Sequence, residues 1–290
     1  MQETERNDPR FADLDIWDTA TILPALWEGQ MRAVAALGPT LGDLARAVDA
    51  AVPRLRAGGR LAYAGAGTSG RIAAQDASEL KPTFDWPDDR VAVLMAGGEG
   101  AFMHAVEGAE DREDEAERAV AGLGANDVLV ALAASGTTPF ALAAIRAARR
   151  QGCLTIGIAC SAATPLLAAP EIGILIATGP EAIAGSTRMK AGTAQKAALN
   201  LFSTAVMVRL GRVYRGRMVD MNARNAKLER RAERMLAELA DATPEAARGA
   251  LAKAGGKVKL AVLILDGHAP ADARALLDRH GGNLRAARGR

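Results

Sequence analysis

Three short stretches of the chain combine small residues with hydroxyls. AGAGTSGR (64–71) holds Thr68 and Ser69, ASGTTP (134–139) holds Ser135, Gly136, Thr137 and Thr138, and AGSTRMKAGT (184–193) holds Ser186, Thr187, Arg188, Lys190 and Thr193. Each hydroxyl donates one hydrogen bond, and small neighbours let the backbone come close, which suits a phosphate monoester. A single turn of this kind reads as a helix cap. Three at corresponding places, each beside a strand-like run, read as a cradle for a ligand the size of a phosphosugar. Carboxylates supply the other chemistry. RIAAQDASELKPTF (71–84) places Asp76 and Glu79 on one face of a helix or its end, which Pro82 is expected to close, and HAVEGAEDREDEAER (104–118) carries Glu107, Glu110, Asp111, Glu113 and further acids. Two carboxylates whose environments separate their acidities can act as general acid and base. The pattern alone does not single out which, and His104 stands as another acid–base candidate or a helix-surface histidine.

Gly65, Gly67 and Gly70 also match the G-x-G-x-x-G fingerprint of dinucleotide sites. That reading needs an acidic side chain about 20 residues on, at the end of the next strand. The next strand-like run ends in LMAGG; Asp85, Asp88 and Asp89 precede it and Glu99 follows only after two glycines. No Gly-Lys-Ser/Thr follows the loop either. An anion at a helix N-terminus is the surviving expectation.

The elements around these turns follow a repeating order. Apolar runs GRLAYAGAG, RVAVLMAGG, NDVLVALAASG, CLTIGIACS and IGILIATG give five strand candidates between residues 60 and 178, separated by helical segments. Their lack of polar alternation predicts burial on both faces, hence a parallel sheet with helices on both sides and ligands beyond the strands' carboxyl ends. Residues 14–57 are expected to be helical, broken at Pro24, Pro39 and Pro53. A helix is expected near 70–80, another through EGAFMHAVEGAEDREDEAERAVAGL (99–123), and a long one over 188–210. In the tail, short helices are expected near 244–254, 257–266 and 270–279, with a last turn after Asn283; VKLAVLIL (258–265) has the alternative of a strand.

The chain has 290 residues, 49% of them apolar, only 3% aromatic, and a net charge of +2. Its core must be built mainly of Ala, Val, Leu and Ile. The scattered basic residues, including the Arg-rich NLRAARGR end, do not demand nucleic acid. Cys153 and Cys160 share one apolar segment, far from the dispersed His104, His268 and His280, so buried free thiols are expected rather than a metal site. The polar, acidic start does not resemble a signal peptide and no apolar run reaches membrane-spanning length, so no membrane partner and a cytoplasmic location are expected.

Several stretches together resemble a known family: GAGTSGR, DASE, PTF, AGGE, AVEGAED, ASGTTP, GPE, GSTRMKAGTAQKAALNLFSTAVMVRLGRVY and MVDMNARNAKL, in family order from about Thr4 to the C-terminus. They are similar to the N-acetylmuramic acid 6-phosphate etherases, within the sugar isomerase (SIS) superfamily. The resemblance implies an α/β fold: a three-layer α/β/α SIS domain with a five-stranded parallel sheet over 58–228, N-terminal helices over 1–57 packing on it, and a small three-helix, UBA-like subdomain over 229–290. It implies a lyase needing no cofactor and no metal, acting on a small-molecule phosphosugar as a homodimer in which one subunit completes the other's site. By motif it implies Glu79 of DASE as the acid that protonates departing lactate and Glu110 of EGAED as the base at C2. The expected substrate and phosphate contacts are Thr68, Ser69, Ser78, Ser135, Gly136, Thr138, Ser186 and Lys190. The chain departs from the family pattern at Thr137, where Arg is common, at Leu80-Lys81, where Cys-Pro is usual, and at Ser161, where Asn is usual. Two alternatives use the same fold: a catalytically silent phosphosugar-sensing regulator and a phosphosugar isomerase.

Overall fold

The computed structural model describes residues 3–221 and 226–289. They form two compact units, Met1–Ser78 with Asp89–Ser203, and Glu79–Asp88 with Thr204–Arg290. The first opens with short 3-10 turns, then α1 (Thr19–Ala35) and α2 (Leu41–Arg56). Asp18 caps α1, its carboxylate accepting the Thr21 N–H at 2.7 Å. Pro24 and Pro53 lie inside these helices instead of breaking them, and only the Gly38–Thr40 turn, which contains Pro39, separates the two. An interior proline removes one hydrogen bond and costs about 3 kcal/mol. In α2 the burial of Leu44, Ala47, Val48, Ala51, Val52 and Leu55 along one face outweighs it.

The rest of the unit alternates strand and helix: β1 (Leu61–Gly65), α3 (Gly67–Phe84), β2 (Val91–Met95), α4 (Glu113–Val120), β3 (Val128–Leu132), α5 (Pro139–Arg150), β4 (Leu154–Ala159), α6 (Pro165–Ala168), β5 (Ile172–Leu175) and α7 (Lys190–Arg209). The five strands are the five apolar runs of the sequence. They pair in parallel in the order β2-β1-β3-β4-β5, with Leu61 opposite both Val91 and Val128. Every residue of β1, β3 and β4 is buried, which explains the missing alternation. Helices flank the sheet in a three-layer α/β/α arrangement. Alanines at 141, 143, 144, 147 and 148 let α5 settle closely on it. Between β1 and β3 the connections leave in opposite directions, so a crevice opens beyond their carboxyl ends. Helix α3 runs through Pro82 to Phe84, because a proline in the last turn forfeits only one bond.

The continuous helix expected over 99–123 does not form. Gly97 and Gly98 just before it and Gly108 within it take positive φ (82°, 70° and 65°), and the segment forms two 3-10 turns, Glu99–Phe102 and Ala109–Asp111, before α4. Both cysteines are buried and free, as expected, and burial pushes the Cys160 thiol up to about 12.

The second unit contains a hairpin that the sequence reading did not anticipate, β6 (Val213–Tyr214) and β7 (Arg217–Met218). It turns through Arg215 and Gly216, both at positive φ as a tight hairpin turn requires. Then follow α8 (Ala226–Ala240), α9 (Pro244–Lys253), α10 (Val258–Leu265), α11 (Pro270–Arg279) and α12 (Leu284–Ala287). VKLAVLIL is therefore helical. It reads ambiguously because α10 is buried from Val258 to Leu263. Lys259 lies within that buried run and donates to the Asp220 carboxylate (2.6 Å) and the Gly282 carbonyl (2.7 Å). Residues 222–225 of the MVDMNARNAKL motif lie outside the described residues.

One carboxylate ties the starts of β1 and β3 together. Asp127, 6% exposed, accepts from the Arg60 N–H (2.6 Å), the Arg60 guanidinium (2.7 and 3.1 Å) and the Gly124 N–H (2.8 Å). Burial pushes its carboxyl up, but these bonds prevail and hold it below its ordinary value. The stability it supplies is fully present above about pH 4, the unfolded value, and is lost as pH falls through the lower folded value. Asp127→Ala is expected to lower unfolding free energy at pH 7 by about 2–4 kcal/mol in urea titrations. The wild-type and variant curves should converge in acid.

Candidate active site

The first wall of the crevice is the turn between β1 and α3. Gly67 has φ +52°, and the Gly70 N–H donates to the Ala66 carbonyl at 3.1 Å. Gly65 and Gly70 cross so closely that a Cβ on Gly70 would stand 2.7 Å from the Gly65 carbonyl oxygen and one on Gly65 would stand 2.8 Å from the Gly70 nitrogen. This contact brings the first turn of α3, with Thr68 and Ser69, over the end of β1. Ser69 is 8% exposed, and its hydroxyl donates to the Gln195 side-chain oxygen of α7 at 3.0 Å.

The second wall follows β3. Gly136 has φ +73°, and a Cβ there would lie 2.2 Å from the Thr164 hydroxyl oxygen. The kink aims Ser135, Thr137 and Thr138 into the crevice. Ser135 Oγ accepts from the Thr137 N–H at 3.3 Å. Thr138 is the N-cap residue of α5 by backbone position, but its hydroxyl makes no capping bond, and Pro139 takes the first helical position. Two helix N-termini thus converge on one cavity, of about 490 Å³. Their unsatisfied N–H groups and dipoles favour an anion.

A third wall comes from residues 185–187. Gly185 and Thr187 line the cavity, while Ser186, expected there, does not. Lys190 does not line it either. It is 7% exposed, donates to the Thr178 carbonyl at 3.1 Å, and faces a small separate cavity with Arg10, Phe11 and Glu181. Burial pulls its ammonium below the ordinary value, against Glu181 and Asp8, which hold it up. The Glu181 carboxylate itself caps α7, accepting the Lys190 and Ala191 N–H groups at 2.9 Å each.

Three carboxylates line the cavity: Glu110 and Asp111, on the turn that follows Gly108, and Glu5 from the N-terminal segment. Broken helix geometry is what presents Glu110 here. Glu5 and Asp111 were not singled out from the sequence. Asp111 is one acid among many in its segment, and nothing local marks Glu5, which lies far upstream of the other walls. Asp76 is turned inward, accepting from the Tyr63 hydroxyl (2.8 Å) and the Ser203 hydroxyl (3.0 Å), so it braces α3 against β1 and α7. Burial, then the adjacent Asp76 charge, pushes the Tyr63 phenol well above its ordinary value. Ser78 and Glu79 are exposed on α3 about three turns beyond Ser69 and do not line the cavity. The Ser78 hydroxyl donates back to the Gln75 carbonyl at 2.8 Å. His104 is exposed in the loop before Glu110.

Gly70→Ala tests the crossing on which this geometry rests. The Met95 sulfur, 2.2 Å from the added Cβ, can swing away, whereas the Gly65 backbone cannot. A loss of about 1–3 kcal/mol in unfolding free energy, together with weakened binding of inorganic phosphate by calorimetry, is expected.

Among known proteins, the model of the SIS domain family matches residues 102–205, and that of the glucokinase regulatory protein N-terminal SIS domain matches residues 43–149. The N-acetylmuramic acid 6-phosphate etherase of Deinococcus radiodurans is 50% identical over 287 residues, 98% of this chain and 94% of that protein. Those of Enterobacter sp. and Cronobacter sakazakii are each 46% identical over 287 residues, 98% of this chain and 97% of theirs. The solved structure of a phosphoheptose isomerase from Francisella tularensis superimposes with a TM-score of 0.52 at 17% identity, covering 66% of this chain and 100% of that one, a likeness of fold. On this full-length similarity, with the SIS architecture and the hydroxyl-lined crevice in place, the chain belongs to the N-acetylmuramic acid 6-phosphate etherase family.

Proposed function

We propose that this chain is an enzyme that cleaves the D-lactyl ether of N-acetylmuramic acid 6-phosphate, giving N-acetylglucosamine 6-phosphate and D-lactate. The observation that carries this is the cavity at the β1/β3 crevice, where Glu110 stands beside the hydroxyl turns and helix N-termini, in a chain that etherases match over 98% of its length. The phosphate is held by the Thr68, Ser135 and Thr138 hydroxyls and by the two helix N-termini, Ser69 contributing through its backbone because its hydroxyl is bonded to Gln195. Gly136 shapes that turn, and Thr137 and Thr187 add contacts. Binding at the phosphate positions the distant reacting carbons.

The reaction is an elimination followed by hydration, which makes the enzyme a carbon–oxygen lyase. The sugar reacts as its open-chain aldehyde, because only then can the C1 carbonyl accept the electrons released at C2. Glu110 removes the C2 proton. The electron pair forms the C1–C2 enolate, then the C2–C3 double bond as the C3–O bond breaks. Glu79 protonates the departing lactate oxygen. Water then adds across the unsaturated aldehyde, its hydroxyl to C3 and a proton to C2. Each acid or base contributes about 10²–10⁴-fold.

A homodimer fits this chemistry. Leu23, Trp27, Met31 and Val34 are 61%, 65%, 56% and 51% exposed and recur along one face of α1. A second copy of the chain would cover this stripe and bring its own exposed Glu79 to the cavity. Glu110→Gln and Glu79→Gln are each expected to cut D-lactate release by about 10²–10⁴-fold, and an unchanged rate in either removes that role. A protein that binds the sugar without turnover would favour the regulator alternative, and a product retaining its lactyl group the isomerase. Mixing the two variants should restore activity if Glu79 acts across the dimer, since one site per mixed pair then holds both acids. Trp27→Asp should halve the mass measured by light scattering and abolish that restoration.

A further inference from the structure

Among the described residues every titratable side chain lining the cavity is acidic, and the ligand proposed above carries a lactyl carboxylate as well as its phosphate. Two helix N-termini can serve the phosphate. A second anion placed beside Glu5, Glu110 and Asp111 needs a cation of its own. An adjoining groove of about 390 Å³ meets the cavity at Thr137, which lines both. The groove is also lined by Arg6, Ser161 and Thr164, and by Glu3. Its formal charge is zero, against three negative charges in the cavity.

The chain start is pinned so that consecutive side chains serve the two spaces. Thr4 is fully buried, and its carbonyl accepts the Gly185 N–H at 3.1 Å. Glu5 turns toward Gly185, its carboxylate oxygen 3.0 Å from where a Cβ on that glycine would stand, and Arg6 is left to the groove. Among the described residues no carboxylate pairs with Arg6. The Ser161 hydroxyl, on a residue 3% exposed, has no hydrogen-bond partner, while the Thr164 hydroxyl donates to the Ser161 carbonyl at 3.3 Å. An unpaired guanidinium and an unpaired hydroxyl, beside a cavity that no cation lines among the described residues, make a receptor for a small 2-oxyacid group.

We propose that this groove receives the lactyl carboxylate of the substrate, with Arg6 as the residue that recognises it. The assignment rests on the etherase reading. Arg6 would act as a specificity determinant, binding the part of the substrate that leaves, without taking part in proton transfer. In steady-state assays, Arg6→Ala should raise KM for lactate release about tenfold or more while kcat changes less than about threefold, and Arg6→Lys should recover part of the loss. Calorimetry in the Glu110→Gln background separates recognition from turnover. Arg6→Ala should weaken N-acetylmuramic acid 6-phosphate about tenfold and leave N-acetylglucosamine 6-phosphate, which lacks the lactyl group, unchanged. If Arg6→Ala weakens both sugars equally, or neither, the groove assignment is overturned. If the wild type releases no lactate, the etherase reading fails, and the difference between the two titrations still decides whether Arg6 recognises a lactyl carboxylate.

Discussion

The backbone of the first turn of α3 lies against the end of β1, glycine on glycine at Gly65 and Gly70, with no room for a Cβ on either. That crossing aims a helix N-terminus at the crevice beside the central strand. Gly136 produces the matching approach after β3, where Thr164 fills the space a Cβ would need. Parallel pairing of β1 with β3 then holds the two turns side by side. The result is a concave surface of N–H groups and hydroxyls whose aligned peptide dipoles favour an anion. A site of this kind needs rigidity, and the structure provides it beneath the cavity. Asp76 joins Tyr63 of β1 and Ser203 of α7, and Asp127 joins the starts of β1 and β3.

The charges around the cavity have a consistent division of labour. Basic side chains serve the scaffold: near the third turn Lys190 is spent on a backbone carbonyl and on packing against α1, and at the far end of the sheet Arg60 is spent on Asp127. Acidic side chains are left facing the ligand. The proposed elimination, which moves a proton from carbon and delivers one to an ether oxygen, would be served by carboxylates, whereas side-chain cations at the reacting carbons would hold the base in its least basic state. The anionic ends of the substrate are then met at the periphery, by helix ends on one side and, in our reading, by Arg6 on the other.

Much of this was legible in the residues themselves. The five strands could be placed because a parallel strand covered on both faces must be an unbroken apolar run, and each run here ends in small residues. The hydroxyl turns could be placed because each follows or borders such a run. The tail could be divided at its glycine pairs because they take the positive φ that ends a helix. In these cases the deciding interactions lie within a few residues of one another, where local stereochemistry governs.

Elsewhere the outcome depended on partners distant along the chain. Composition made 99–123 a helix, but the left-handed backbone at Gly108 breaks it and presents Glu110 to the cavity. Pro24, Pro53 and Pro82 sit inside helices because the helices continue past a single missing bond, and in α2 a buried face outweighs its cost. Thr187 rather than Ser186 faces the cavity, Lys190 turns away from it, and Glu5 and Arg6 arrive from the far end of the chain through one bond between Thr4 and Gly185. By itself the amino-acid sequence determined the five strands of the parallel sheet, the short tail helices at their glycine boundaries and the hydroxyl chemistry, since apolar runs and glycine stereochemistry act locally. Only the tertiary structure decided which carboxylates and cations meet, because charge and hydroxyl placement is settled by burial and by hydrogen bonds to residues remote in sequence.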